Sequence, residues 1–127
     1  MSWEVDYTDE FGKWWLELSE EEQESITAAV EILEQRGPAV RRPLVDTISK
    51  SRHANMKELI VPRGNIRILF AFDPRRMAIL LIGGDKTDEW DKWYDRMVPV
   101  ADDLYDEHLA ALEREQANQE KGGAEDG

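Results

Sequence analysis

Ile66-Arg67-Ile68-Leu69-Phe70-Ala71-Phe72-Asp73-Pro74-Arg75-Arg76-Met77-Ala78-Ile79-Leu80-Leu81-Ile82 decides the fold of this 127-residue chain. Two apolar runs flank a turn signal, with Asp at its first corner and Pro at its second, as a type I turn prefers. So short a connection between strand-like runs makes an antiparallel hairpin. Both runs are apolar at odd and even positions alike, which predicts central strands covered by helices on at least one side. Upstream, residues 57–61 form a third run, joined to Ile66 through the turn-rich Pro62-Arg63-Gly64-Asn65. Strand parity puts Arg67 on the face of Leu69 and Ala71, opposite Ile66, Ile68, Phe70 and Phe72.

Outward from this hairpin, helices are predicted on both sides. Trp3-Glu4-Val5-Asp6-Tyr7-Thr8 alternates like a half-buried strand. Thr8 or Asp9 then caps a short helix to residue 18, with Phe11, Trp14, Trp15 and Leu18 at helical spacing. Ser19-Glu20-Glu21-Glu22 is a capping box. It opens a second helix that buries Ile26, Ala29, Val30 and Leu33 and stops at Arg36 before Gly37-Pro38. Residues 38–55 show no clear periodicity and read as a basic loop with room for one helical turn. Gly83-Gly84 is expected to end the sheet. A helical pattern resumes at Trp90, Trp93, Tyr94, Met97, Ala101, Leu104, Tyr105, Leu109 and Leu112, and Pro99 either kinks that helix or starts a new one. The order is β-α-α-β-β-β-α, an α+β domain over residues 1–112 with an antiparallel sheet. A polar tail, 113–127, is expected to be disordered.

The net charge of −12 argues against a generic nucleic-acid binder, but it is unevenly spread. Residues 1–35 carry a net −10, residues 36–86 a net +7 and residues 87–127 a net −9. The positive part falls on the loop and hairpins, the negative parts on the flanking helices. This separation is expected to confine nucleic-acid contact to one face and to make it salt-sensitive. With no cysteine, disulfides, thiolate metal sites and cysteine nucleophiles are excluded. The acidic start lacks the apolar core of a secretory signal, and the longest apolar run, 77–82, is too short to span a bilayer. The chain reads as a soluble cytoplasmic protein with no cofactor and no metal.

Common catalytic templates are missing: there is no Gly-rich phosphate loop, no His-Glu-x-x-His and no Gly-x-Ser-x-Gly. His53 and His108 are the only imidazoles and are not spaced as a metal pair. The informative residues are the cations of the middle segment. Lys57 opens a strand, Arg67 lies one residue into the next, Arg75 and Arg76 share a turn, and Lys86 follows the last strand. An arginine at the mouth of an apolar strand face needs a partner or an anion. The bland alternative is an ion pair, for Arg67 with Glu58 or Asp85, or plain solvent exposure. Trp93 and Tyr94 point about 100° apart on a helix, so one packs inward while the other faces a site and could stack a base.

The stretches Arg42-Pro-Leu-Val-Asp-Thr-Ile, Lys57-Glu-Leu, Arg67-Ile-Leu-Phe-Ala-Phe-Asp-Pro-Arg-Arg, Ile79-Leu-Leu-Ile-Gly-Gly-Asp-Lys and Trp93-Tyr94, in that order, resemble the RelE/HigB superfamily, and within it the phage-derived Gp49-like branch of HigB-type toxins. The resemblance implies a RelE-like fold, two N-terminal helices on an antiparallel sheet. It also implies the toxin of a type II toxin–antitoxin module, a metal-independent endoribonuclease that cleaves mRNA on the ribosome and leaves a 2′,3′-cyclic phosphate. By position it implies Lys57 as base or charge stabiliser, Arg67 as the phosphate-gripping arginine, Lys86 as the catalytic group after the last strand and His53 as the loop histidine. Substrate contacts would fall to Arg75, Arg76, Tyr94 and Trp93. The partners implied are the ribosome, mRNA and a cognate antitoxin of HigA type with a helix-turn-helix, so that DNA is bound only through the complex. Two other readings stay open: a non-nucleolytic, ParE-like toxin that inhibits gyrase, and an inactive relative that only binds its antitoxin.

Overall fold

The computed structural model describes residues 2–126, with side chains to residue 120. Strand β1 (Val5–Tyr7) leads into α1 (Asp9–Leu16) and α2 (Glu20–Arg36); a 3-10 turn (Gly37–Ala39) precedes β2 (Val45–Thr47), β3 (Lys57–Ile60), β4 (Ile66–Phe72) and β5 (Ala78–Asp85), and α3 (Asp91–Asp126) closes the chain. The five strands form one sheet in the order β1-β5-β4-β3-β2.

The expected α+β architecture stands, with differences at its edges. The loop at 38–55 contains an extra strand, β2, paired antiparallel to β3. β1 runs parallel to β5, Val5 opposite Ala78 and Tyr7 opposite Leu80, so the sheet is antiparallel except at that edge. The helical hairpin carries the chain from β1 at one edge to β2 at the other, and β3, β4 and β5 step back antiparallel until β5 lies alongside β1. Thr8 makes this corner: its Oγ accepts from Phe11 N–H at 3.0 Å, capping α1, and donates to Leu81 O at 2.6 Å. Ser19 and Glu22 exchange both bonds of the capping box at the start of α2.

The sheet carries a core on each face, as the parity of β4 requires. Ile66, Ile68 and Phe70, with Leu59 and Leu80, pack against Phe11, Ile26 and Leu33 of the helical hairpin. Leu69, Ala71, Ile79 and Leu81 pack against Trp93, Val98, Ala101 and Tyr105 of α3. Each fully buried Leu, Ile or Phe here is worth about 1.5–3 kcal/mol relative to exposure.

Gly83 and Gly84 do not end the sheet; β5 runs through them to Asp85. They are seats for two indoles. A Cβ on Gly84 would sit 2.7 Å from Trp93 Nε1, and one on Gly83 would collide with the Trp14 ring. Pro99 lies within one continuous α3. That helix also continues through the segment expected to be an irregular tail: Ala110, Ala111, Leu112, Glu113 and Arg114 are good helix formers that propagate from a packed start. Side chains 113–120 are all exposed.

Candidate active site and its relatives

Arg67 and Glu58 lie on the α3 face of the sheet, near the mouth of the β3–β4 hairpin. Register sets Glu58 opposite Leu69 and Arg67 opposite Ile60, so the two side chains lean toward one another from adjacent strands. Arg67 Nε is 3.4 Å from Glu58 Oε1, with the side chains 13% and 11% exposed. One Nη donates to Ile66 O at 3.1 Å, while the buried Nε makes no hydrogen bond. A desolvated guanidinium with a spare donor is costly unless an anion completes it.

α3 supplies the rest. The Tyr94 hydroxyl donates to Glu58 Oε1 at 2.6 Å. Burial, then the Glu58 carboxylate, pushes the Tyr94 phenol above the usual tyrosine range, so it stays protonated. Lys86 Nζ lies 5.4 Å from the Tyr94 ring centre and 5.3 Å from that of Trp90, distances at which cation–π attraction counts. The Lys86 backbone is pinned as its N–H donates to Asn65 O at 3.0 Å and its carbonyl accepts from Trp90 N–H at 2.8 Å. Asp85 stands beside it. Hydrogen bonds from Thr87, and more weakly the Arg67 charge, hold its carboxyl below the usual range. The group thus brings together an arginine whose Nε makes no hydrogen bond, a buried carboxylate, a neutral phenol and a lysine.

The remaining expected site residues lie elsewhere. Lys57 pairs with Phe70 across the strands, so its side chain faces the helical-hairpin side, opposite to Arg67. It is also three residues back along β3, about 10 Å. Trp93 is the inward-facing member of the Trp93–Tyr94 pair; 1% exposed over Gly84, it has no face open to a base. Arg75 grips Asp73 through Nε at 3.0 Å and Nη2 at 2.8 Å, and the Arg76 guanidinium rests 4.8 Å from a Trp3 ring centre. Both sit in the β4–β5 turn, at the far end of β4 from Arg67, roughly 20 Å away at strand rise.

His53 belongs to that far end as well. Its Nε2 is 2.8 Å from Asp106 Oδ1, and its ring meets Tyr105 edge-on at 4.9 Å. Tyr105 is eleven residues, about 16 Å of helix, beyond Tyr94. The basic loop is also less free than its composition suggests. Lys50 pairs with Asp95 at 2.8 Å, and Arg52 pairs with Asp102, Asp103 and Asp106. The acidic face of α3 covers the cations of residues 50–53.

Glu58 is the functional candidate that the sequence reading treated only as an ion-pair partner. The signal in the sequence is an acid followed by Leu59, Ile60 and Val61 in an apolar strand; that it shares a face with Arg67 takes the β3–β4 pairing to see.

Comparison with known proteins gives the family and the fold. The family described as "Phage derived protein Gp49-like" matches residues 13–106. A Mycobacterium tuberculosis protein assigned as toxin HigB2 is 46% identical over 116 residues, which cover 89% of this chain and 57% of that protein. The chain therefore spans little more than half the length of that relative. A second, assigned as toxin HigB3 of the same organism, is 46% identical over 99 residues, 78% of this chain and 87% of the relative. Among solved structures, a mutant of the Escherichia coli toxin RelE in the free state superposes with a TM-score of 0.59 at 12% identity, over 78% of this chain and 97% of its own. The archaeal RelE–RelB complex of Pyrococcus horikoshii gives 0.56 at 14% identity, over 69% and 99%. These structures share the fold.

Proposed function

This chain belongs to the Gp49-like family, within the RelE/HigB superfamily of toxins, and on that premise we propose that it is the toxin of a type II toxin–antitoxin module and cleaves mRNA on the ribosome. The observation that carries the proposal is the buried Arg67 guanidinium, whose Nε faces Glu58 at 3.4 Å without a hydrogen bond, set beside Glu58, Tyr94 and Lys86. An RNA phosphate is the natural completion of such a donor, since a guanidinium fork matches two phosphate oxygens.

The chemistry needs no metal. A ribose 2′-OH attacks the adjacent phosphorus, its proton passing to a base; the P–O5′ bond breaks and the 5′ oxygen takes a proton from solvent water, giving a 2′,3′-cyclic phosphate and a 5′-OH. Arg67 turns from Glu58 to the phosphate and stabilises the charge developing on it. Glu58, released, accepts the 2′-OH proton. Lys86 adds positive charge, and Tyr94 holds Glu58 in place. Residues 1–112 form the toxin domain, and 113–127 lie outside it.

The cognate antitoxin is the protein partner. It is of HigA type with a helix-turn-helix, and DNA is bound through that complex. Structural neighbours support the partnership: RelE of Pyrococcus horikoshii with RelB, and DinJ–YafQ of Escherichia coli, were solved as complexes. The test is to add the purified chain to a translating extract and map new mRNA 5′ ends. Codon-phased cuts by the parent chain, lost in Arg67→Ala, are expected. Intact mRNA with gyrase-dependent DNA breaks would replace this reading by the ParE-like one.

A further inference from the structure

Lys57, left out of the Arg67 group, lines a separate pocket of about 410 Å³ with Pro38, Val40, Arg41, Arg42 and Asp46. Three cations and a single carboxylate surround it. Asp46 neutralises one of the three, pairing with Arg42 at 3.5 Å, and accepts the Thr47 N–H at 2.9 Å. Among the described residues Arg41 and Lys57 form no ion pair, a state they share with Lys13, Arg36, Arg76, Lys86, Lys92 and Arg114. What sets Arg41 and Lys57 apart is that both line one concavity, in a chain of net charge −12.

The pocket is also built rather than draped. The Arg41 carbonyl accepts from both Leu44 N–H and Val45 N–H at 3.2 Å, fixing the turn that carries the two arginines. Lys57 is held in register opposite Thr47 of β2. The α1–α2 side of the sheet is where Lys57 points, so no phosphate bound at Arg67 on the other side can reach it.

We infer that the Arg41–Arg42–Lys57 pocket binds a second phosphate of the RNA backbone, a strand that passes around the short edge strand β2 from the Arg67 face. The inference rests on the proposed function only for the nature of the anion. Phosphate contacts of this kind position an RNA without reading its bases, and the pocket is accordingly a docking site and takes no part in the chemistry.

The test is an amide-shift titration of the ¹⁵N-labelled full chain with a five-nucleotide single-stranded RNA at low salt, which resolves weak binding residue by residue without ribosomes. Two sets of shifts are expected, one at Arg41, Arg42, Thr47 and Lys57 and one around Arg67. Arg67→Ala abolishes the second set and keeps the first; the double variant Arg41→Ala, Lys57→Ala does the reverse, and its unperturbed spectrum reports that it is folded. Lys57→Arg retains the first set. Shifts confined to the Arg67 face, or a first set that survives the double variant, overturn the inference. So does inorganic phosphate alone saturating the first set as readily as the RNA, which makes it a free-anion site. A chain that shows both sets but cuts no mRNA leaves this docking site standing and removes the proposed function.

Discussion

The Tyr94 hydroxyl and Glu58 Oε1 lie 2.6 Å apart, and this bond latches the first turn of α3 to β3 at the edge of the Arg67 site. The carboxylate is buried, so removing this donor leaves Oε1 with only the longer, 3.4 Å pairing to Arg67. Tyr94→Phe is expected to cost about 1–3 kcal/mol, read as a lower denaturation midpoint with an unchanged slope. An unchanged midpoint would mean that Glu58 is satisfied in some other way.

Arg67→Lys keeps the charge and loses the fork. If Arg67 grips a phosphate in two places, lysine will not restore cleavage. Both Arg67→Lys and Arg67→Ala are then expected to reduce the rate by about 100-fold or more, the loss typical of a transition-state donor. Recovery of the parent rate in Arg67→Lys would show that a point charge suffices.

The site was partly legible in the sequence. The parity of β4 placed Arg67 opposite its Ile and Phe neighbours, and the two cores confirm that division. The same parity, applied to Leu59 and Val61, assigns Lys57 to the other face; strand pairing is needed to see it, because two unpaired strands share no common face. Gly83 and Gly84 read as an end to the sheet because glycine commonly breaks strands; their role depends on Trp14, 69 residues from Gly83, and Trp93, nine residues from Gly84. β1 and β2 span three residues each, and so short a strand lacks the alternation that would give its partner or direction. The ion pairs between residues 50–53 and α3 join segments more than 40 residues apart, beyond any local pattern.

Gly84→Ala tests the seating of Trp93. The added Cβ would stand 2.7 Å from Nε1 and 3.1 Å from Cζ2 of an indole that is 1% exposed. The ring has nowhere to move, so α3 must lift. A loss of about 1–3 kcal/mol is expected, with a red shift in tryptophan emission. Gly64→Ala, where nothing lies within 4 Å but φ is +58°, should cost less and leave emission unchanged.

Acid stability should depend on Asp73. Burial raises its pKa, but bonds from His108, Arg75 and Met77 outweigh that and hold it below the usual carboxylate range. A group whose folded pKa is depressed contributes stability above its unfolded pKa, about 3.9, and loses it as pH falls through the folded value. Asp73→Asn is therefore expected to destabilise the chain by roughly 2–3 kcal/mol near neutrality. The gap to the parent should narrow below about pH 4. Denaturation at pH 7, 5 and 3 checks this; a constant gap would remove Asp73 from the account.

The central claim, that Arg67 and its neighbours form a ribonuclease centre, is tested most directly by single-turnover cleavage on purified ribosomes programmed with one defined codon in the aminoacyl site. The account predicts fragments ending in 2′,3′-cyclic phosphate and 5′-OH, formed by the parent chain and slowed by about 100-fold or more in Arg67→Ala. No cleavage by the parent chain, or an equal rate in Arg67→Ala, would contradict it.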